Sequence, residues 1–229
     1  IIVIFLFLNT SCITESNDYF PLSNGKVWNY NVTINPGVEE KVVYKKTNVT
    51  LKKVDIIDNK KNKISAYPIL REDNSVYYYS KGPEGIYREG SQLTGNQSIV
   101  FESDKKYVLK FPIEIGTRWN SNSKTYLILR RYAYFDYRAT TNFELKYKIV
   151  SINESVIVPA GKFKNCVKIS GIGETTFIGN NEIGAIKIIV KTTDWYAPKI
   201  GLIKSVRSEE TDTDLFGTSR MVQVLDDFK

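Results

Sequence analysis

Along most of the chain the apolar residues fall at every second position. From Val27 onward, β-branched and aromatic side chains alternate with Lys, Thr, Asn and Ser. This is the period of strands that bury one face and wet the other. The clearest stretches are 28–34, 41–54, 64–70, 76–79, 107–111, 125–135, 143–152, 166–170, 186–195 and 202–207. Helical spacing is hard to find. Turn-forming residues separate the stretches: Asn35-Pro36-Gly37, Asp58-Asn59, Lys81-Gly82-Pro83, Gly90, Pro159-Ala160-Gly161, Gly179-Asn180-Asn181 and Pro198. The pattern predicts an all-β fold, a curved and mainly antiparallel sheet bent into a half-barrel or open barrel.

The sheet is expected to have two similar halves, because one motif occurs twice. Phe20-Pro21-Leu22-Ser23-Asn24-Gly25-Lys26-Val27-Trp28-Asn29 and Phe111-Pro112-Ile113-Glu114-Ile115-Gly116-Thr117-Arg118-Trp119-Asn120 share Phe-Pro-(Leu/Ile)-x-x-Gly-x-x-Trp-Asn in a single register. Pro sets the entry angle, Gly permits a tight turn, and Trp near the start of the following strand folds back on the core. No Pro/Ser-rich or charged linker follows either copy, so residues 19–229 read as one β domain.

The first residues read differently. Ile1 to Leu8 is an unbroken apolar run, far short of the roughly 20 residues needed to cross hydrocarbon as a helix. Residues 1–11 read as an export signal without its initiating Met and basic flank, and 12–18 as a polar tether. Small residues followed by Cys12 resemble the lipobox of bacterial lipoproteins, although Asn9 stands where a Leu is usual. Cys12 is therefore the candidate lipidation site, and acyl chains there would fix the domain to a bilayer at about 0.8 kcal/mol per buried methylene. The alternative is a simple secretory signal cleaved near Ser11, leaving Cys12 as a free thiol or a partner for Cys166.

Four segments together resemble the TapB-like family of exported bacterial lipoproteins: 19–28, 111–119, Val158-Pro159-Ala160-Gly161-Lys162-Phe163-Lys164-Asn165-Cys166, and Trp195-Tyr196-Ala197-Pro198-Lys199-Ile200-Gly201-Leu202 with the three residues after it. The resemblance implies a curved sheet or open half-barrel in the style of periplasmic lipoprotein carriers, and no known reaction. Lys199 departs from the glycine often found at that place in the family's turn.

Composition narrows the chemistry. The chain of 229 residues has no His, which removes imidazole bases, imidazole metal ligands and Ser-His or Cys-His sites. Two Cys cannot build a zinc site alone. Gly171-Ile172-Gly173 lacks the third glycine and the helix of a dinucleotide loop, and the Ser-x-x-Lys matches at Ser23 and Ser121 lie in turns before strands. Adjacent acids such as Glu209-Glu210 and Asp226-Asp227 point to opposite faces of a strand, so they do not pair for glycoside hydrolysis. No enzyme activity, cofactor or metal is expected. The net charge of +7 is spread thinly, unlike the stripe of a nucleic-acid binder. Nine Lys against four acids between Lys26 and Lys63 make a solvated face, or one that leans on anionic headgroups.

The sequence thus predicts a non-enzymatic protein of the bacterial cell envelope, lipid-anchored and facing the periplasm. It would bind or carry an apolar or lipid-like ligand on its concave face. Trp28, Trp119, Trp195 and Tyr196 are the candidate ligand-binding residues, and core anchoring is their plainer role. The alternative is an envelope protein that acts through protein contacts and has no ligand cavity.

Overall fold

The structure is a computed structural model that describes residues 18–36, 40–131, 135–179, 184–214 and 216–229; the leader and Cys12 lie outside them. The first half contributes β1 (Val27–Asn35), β2 (Val42–Thr50), β3 (Val54–Ile57), β4 (Lys63–Arg71), β5 (Val76–Gly82), β6 (Gly85–Gln92) and β7 (Val100–Lys110). The second contributes β8 (Arg118–Lys124), β9 (Leu127–Arg131), β10 (Phe135–Ala139), β11 (Asn142–Val158), β12 (Gly161–Ile178), β13 (Ala185–Ala197), β14 (Gly201–Thr211) and β15 (Thr218–Phe228). Among the described residues there is no helix.

The chain is all-β, and its antiparallel sheet forms a nearly closed barrel with one unsealed seam. The strand order is β7-β6-β5-β4-β2-β1-β15-β14-β13-β12-β11-β8, with β3 added alongside β4 and a separate β9–β10 hairpin. Read from the middle, this order is two six-stranded meanders, each running outward from its Trp strand or back toward the other half. They are hydrogen-bonded where the first strand meets the last, β1 against β15 from Trp28↔Phe228 to Asn35↔Arg220. At the other junction β7 and β8 lie side by side with no ladder between them. Asn122 Nδ2 donates weakly to Asp104 Oδ2 across that gap at 3.4 Å.

The repeated motif has the same geometry in both halves. Gly25 and Gly116 both take positive φ, 84° and 101°, which glycine adopts without a Cβ penalty. The Gly25 N–H donates to Thr50 O and Thr50 N–H to Lys26 O, both at 2.9 Å. The Gly116 N–H donates to Ile149 O and Ile149 N–H to Thr117 O, again both at 2.9 Å. Each glycine therefore closes the turn that starts a Trp strand, β1 on β2 and β8 on β11. Trp28 and Trp119 are both buried one residue into those strands.

Three hydrophobic clusters fill the molecule. Trp28, Tyr30, Val32, Ile203 and Leu225 meet Val156, Val158 and Cys166 from the β11–β12 hairpin. That hairpin bends through three register shifts, and its turn reaches β15, where the Ala160 N–H donates to Leu225 O at 3.1 Å. A second cluster packs Leu127 and Ala139 of the β9–β10 region on Phe143, Leu145, Ile186, Ile188, Val190 and Phe216. The third joins the halves through Tyr19, Ile86, Leu109, Trp119, Ile149, Val167, Ile169 and Tyr196.

Two glycines on β12 make room for aromatic rings of β11. A Cβ on Gly171 would stand 2.7 Å from the Tyr147 ring and 2.4 Å from Thr192 Oγ1, and one on Gly173 2.6 Å from the Phe143 ring. The Gly-Ile-Gly run thus packs rings instead of cradling phosphate. Cys166 is a free, fully buried thiol, and burial pushes its pKa up.

Candidate functional site

The inner face of β1 is apolar. Trp28, Tyr30 and Val32 are buried at alternate positions, with Asn29, Asn31 and Thr33 between them. Cross-strand pairing places β2 residues Asn48 and Lys46 opposite Trp28 and Tyr30, on the same face. The next ladder sets Arg71 of β4 opposite Asn48 and Ile69 opposite Thr50. On the other side of β1, Gln223 of β15 pairs with Val32. An apolar wall therefore runs into a polar one inside the barrel, where a fold built for stability alone would continue the apolar face.

A cavity of about 140 Å³ sits where the walls meet, with about 610 Å³ of empty space when the part open to solvent is counted. Its aromatic and aliphatic side comprises Phe20, Trp28, Tyr30, Tyr79 and Tyr196 with Ile69, Val108 and Leu202. Its polar side is Lys46, Asn48, Arg71 and Gln223. Two hollows that are larger, of about 240 and about 600 Å³, border β7 near the seam and the β3–β4 turn, but charged and polar residues dominate their walls. The smaller, more apolar cavity with a few convergent polar groups is the candidate binding site. It approaches the volume at which a dry cavity holds a benzene-sized guest, so it admits a ring or a short run of methylenes and not an entire phospholipid.

The aromatic residues around the cavity are held by hydrogen bonds to backbone. Trp28 Nε1 donates to Ile200 O at 2.7 Å, and the Tyr30 hydroxyl donates to Leu202 O at 3.0 Å. Both acceptors flank Gly201, at the start of β14, so the turn after β13 orients the rings. In that turn the Ile200 N–H donates to Ala197 O at 3.2 Å, with Pro198 second and Lys199 third. Lys199 has φ of 63°. The turn keeps the left-handed residue that glycine usually supplies, so the departure at Lys199 leaves the local geometry intact. Phe20 packs on Tyr79, their ring centroids 5.3 Å apart.

On the polar side, Lys46 Nζ donates to Gln223 Oε1 at 3.0 Å and lies 5.9 Å from the Tyr30 ring centroid. Burial, reinforced by the Arg71 charge, pushes the Lys46 pKa down to about 8. The Arg71 guanidinium sits over the Tyr77 ring at 4.0 Å. Asn48 Oδ1 is buried without a hydrogen-bond partner. Burial also raises the Tyr30, Tyr79 and Tyr196 phenols, so all three are neutral hydroxyls near neutral pH.

Behind Tyr196 the interior becomes more polar. Burial drives Asp194 up to about 6 despite its hydrogen bond with Ser205 and the charge of Arg207, and raises Tyr147 to about 12. Arg207 Nε donates to Glu209 Oε1 at 2.8 Å and Arg207 Nη2 to Lys124 O at 2.8 Å, while Glu209 Oε2 accepts the Tyr126 N–H at 2.9 Å. This buried pair pins the chain between β8 and β9. Among the described residues no three His, Cys, Asp or Glu side chains are grouped to hold a metal.

The cavity brings together two of the four aromatic residues singled out from sequence, Trp28 and Tyr196. Trp119 is elsewhere, stacked on Tyr147 at 5.4 Å with Nε1 buried and unpartnered. Trp195 points away from its neighbour Tyr196 and lies between Lys168 and Lys204, 5.5 and 5.0 Å from their ammonium groups, with Nε1 3.4 Å from Glu154 Oε2. Sequence reasoning missed Tyr30, Tyr79, Lys46 and Arg71. A register of β1 on β2 would have shown that Lys46, not Lys45, faces inward.

Residues 109–220 match the DUF3108-like family. The matched part runs from the end of β7 to the start of β15 and so covers the second meander except most of β15. The matching family has a different description from the TapB-like resemblance. No curated protein matches the chain. Two solved structures are similar: a "putative lipoprotein" from Parabacteroides distasonis, 14% identical with a TM-score of 0.41, and a "putative exported protein with YmcC-like fold" from Bacteroides fragilis, 15% identical with a TM-score of 0.37. Each alignment covers 92% of this chain and 98% of the other.

Proposed function

We propose that this protein is a non-enzymatic binding or carrier module of the bacterial cell envelope, tethered through Cys12, which takes the apolar part of a lipid-like ligand into the barrel. One observation carries the reading: between the packed clusters no side chain fills the space walled by Trp28, Tyr30, Tyr79 and Tyr196. Aromatic walls without side chains packed against them forgo dispersion contacts, a cost that an apolar ligand would offset. The leader and the Cys12 segment support the envelope location. The tether then keeps the module at the membrane that supplies an amphiphile.

Native mass spectrometry of protein purified from membranes tests this. The account expects a one-to-one adduct of lipid mass, reduced in Val108→Phe, which adds bulk to the cavity wall. Protein that is empty in every preparation, with the variant indistinguishable from it, would contradict the carrier reading. It would favour action through protein contacts, for which the unpaired facing edges of β7 and β8 are the available surface.

A further inference from the structure

The polar side of the cavity is one-signed. Lys46 and Arg71 both line it, and no Asp or Glu does. The nearby acids hydrogen-bond outside the cavity and act on Lys46 only through their charge: Asp73 Oδ1 accepts from the Ser75 hydroxyl at 2.6 Å and its N–H at 3.0 Å, and Glu72 Oε2 accepts the Thr47 N–H at 3.2 Å. Of the groups that line the cavity, the Lys46 ammonium touches the neutral Gln223 amide and the face of Tyr30, while the charges of Glu72 and Asp73 reach it from outside the cavity wall. Lys46 and Arg71 are both half-buried on one wall, and the Arg71 charge acts against that of Lys46, a repulsion that an anion between them would relieve. Asn48 adds an independent sign, because its buried Oδ1 has no donor. Turned by half a rotation, the same carboxamide would offer its NH₂ group to an oxyanion.

We propose that the ligand of this cavity is a single-chain amphiphile with an anionic oxyacid head, carboxylate or phosphate, held by Lys46 and Arg71 while its chain lies against Trp28, Tyr30 and Tyr196. This rests on the carrier reading and narrows it. The guanidinium supplies a planar fork for two oxygens, the ammonium a point charge, and Asn48 a neutral donor. The limited volume selects one chain over two.

The test measures binding of four probes of equal chain length to the full folded domain by titration calorimetry: a fatty acid, a lysophosphatidic acid, the fatty alcohol and the alkyltrimethylammonium. At least one anionic probe should bind about tenfold more tightly than the alcohol, with the cationic probe weakest. Preference for the acid or for the phosphate identifies the head group. In Lys46→Gln and Arg71→Gln the anionic advantage should shrink by about tenfold while alcohol affinity holds. Alcohol binding as tight as both anions overturns the head-group assignment and leaves the carrier reading standing. So does an anionic advantage unchanged in either folded variant. Failure of all four probes overturns both. The wild-type comparison alone decides the head group if neither variant folds.

Discussion

Asp194 shows at the scale of one residue how this interior is built. It sits on β13 opposite Ser205, close to Tyr147 and Tyr196, and burial outweighs both the Ser205 hydrogen bond and the Arg207 charge to hold its pKa at about 6. Its ordinary value is 3.8, so between roughly pH 4 and 6 the folded chain binds more protons than the unfolded one. Stability therefore falls as pH rises through that window, by up to about 3 kcal/mol. Denaturant unfolding should show the protein more stable at pH 5 than at pH 7, with Asp194→Asn losing most of that difference; an equal difference in the variant would refute the assignment. Sequence alone could not show this, because Asp194 reads as an ordinary polar residue in a strand. The same holds for Lys46. Of the adjacent Lys45 and Lys46, only the pairing of Tyr30 with Lys46 decides which enters the barrel. Trp28 and Tyr196 were legible because large aromatic residues beside turns are anchors in most sheets.

At the scale of elements, strands with strict alternation were readable and those that break it were not. β1, the first half of β11 and most of β13 follow the apolar pattern closely. β6 was hidden because Gly90 reads as turn punctuation, whereas it lies where the backbone of β7 comes close: a Cβ there would stand 2.7 Å from Val100 O. β8 was hidden because its second inward position is Ser121, buried with a small polar side chain. β15 is not among the clear alternating stretches of the sequence, although Gln223 and Leu225 are buried and it is the strand that closes on β1. The glycines of β12 carry a prediction. Gly171→Ala and Gly173→Ala should each cost about 1–3 kcal/mol by overpacking Tyr147 or Phe143. Thermal and denaturant melts would measure it, and changes within about 0.5 kcal/mol would show that those rings are free to shift.

At the scale of the molecule, the repeated Phe-Pro…Trp motif foretold two halves, and each copy does open a six-stranded meander. What it could not foretell is closure. Pairing the first strand with the last is a long-range choice that no local period records, and neither is the failure of β7 and β8 to pair. The cavity follows from this closure, since its wall draws on β1, β2, β4, β5 and β7 from one half and β13, β14 and β15 from the other. Single-tryptophan proteins give the most direct test. In each, two of Trp28, Trp119 and Trp195 are replaced by Phe, and a brominated fatty acid is titrated while the remaining fluorescence is followed. The account predicts saturable quenching of Trp28, which lines the cavity, and little of Trp119 or Trp195, which do not. An unquenched Trp28 in a folded protein, or equal quenching of all three, would contradict it.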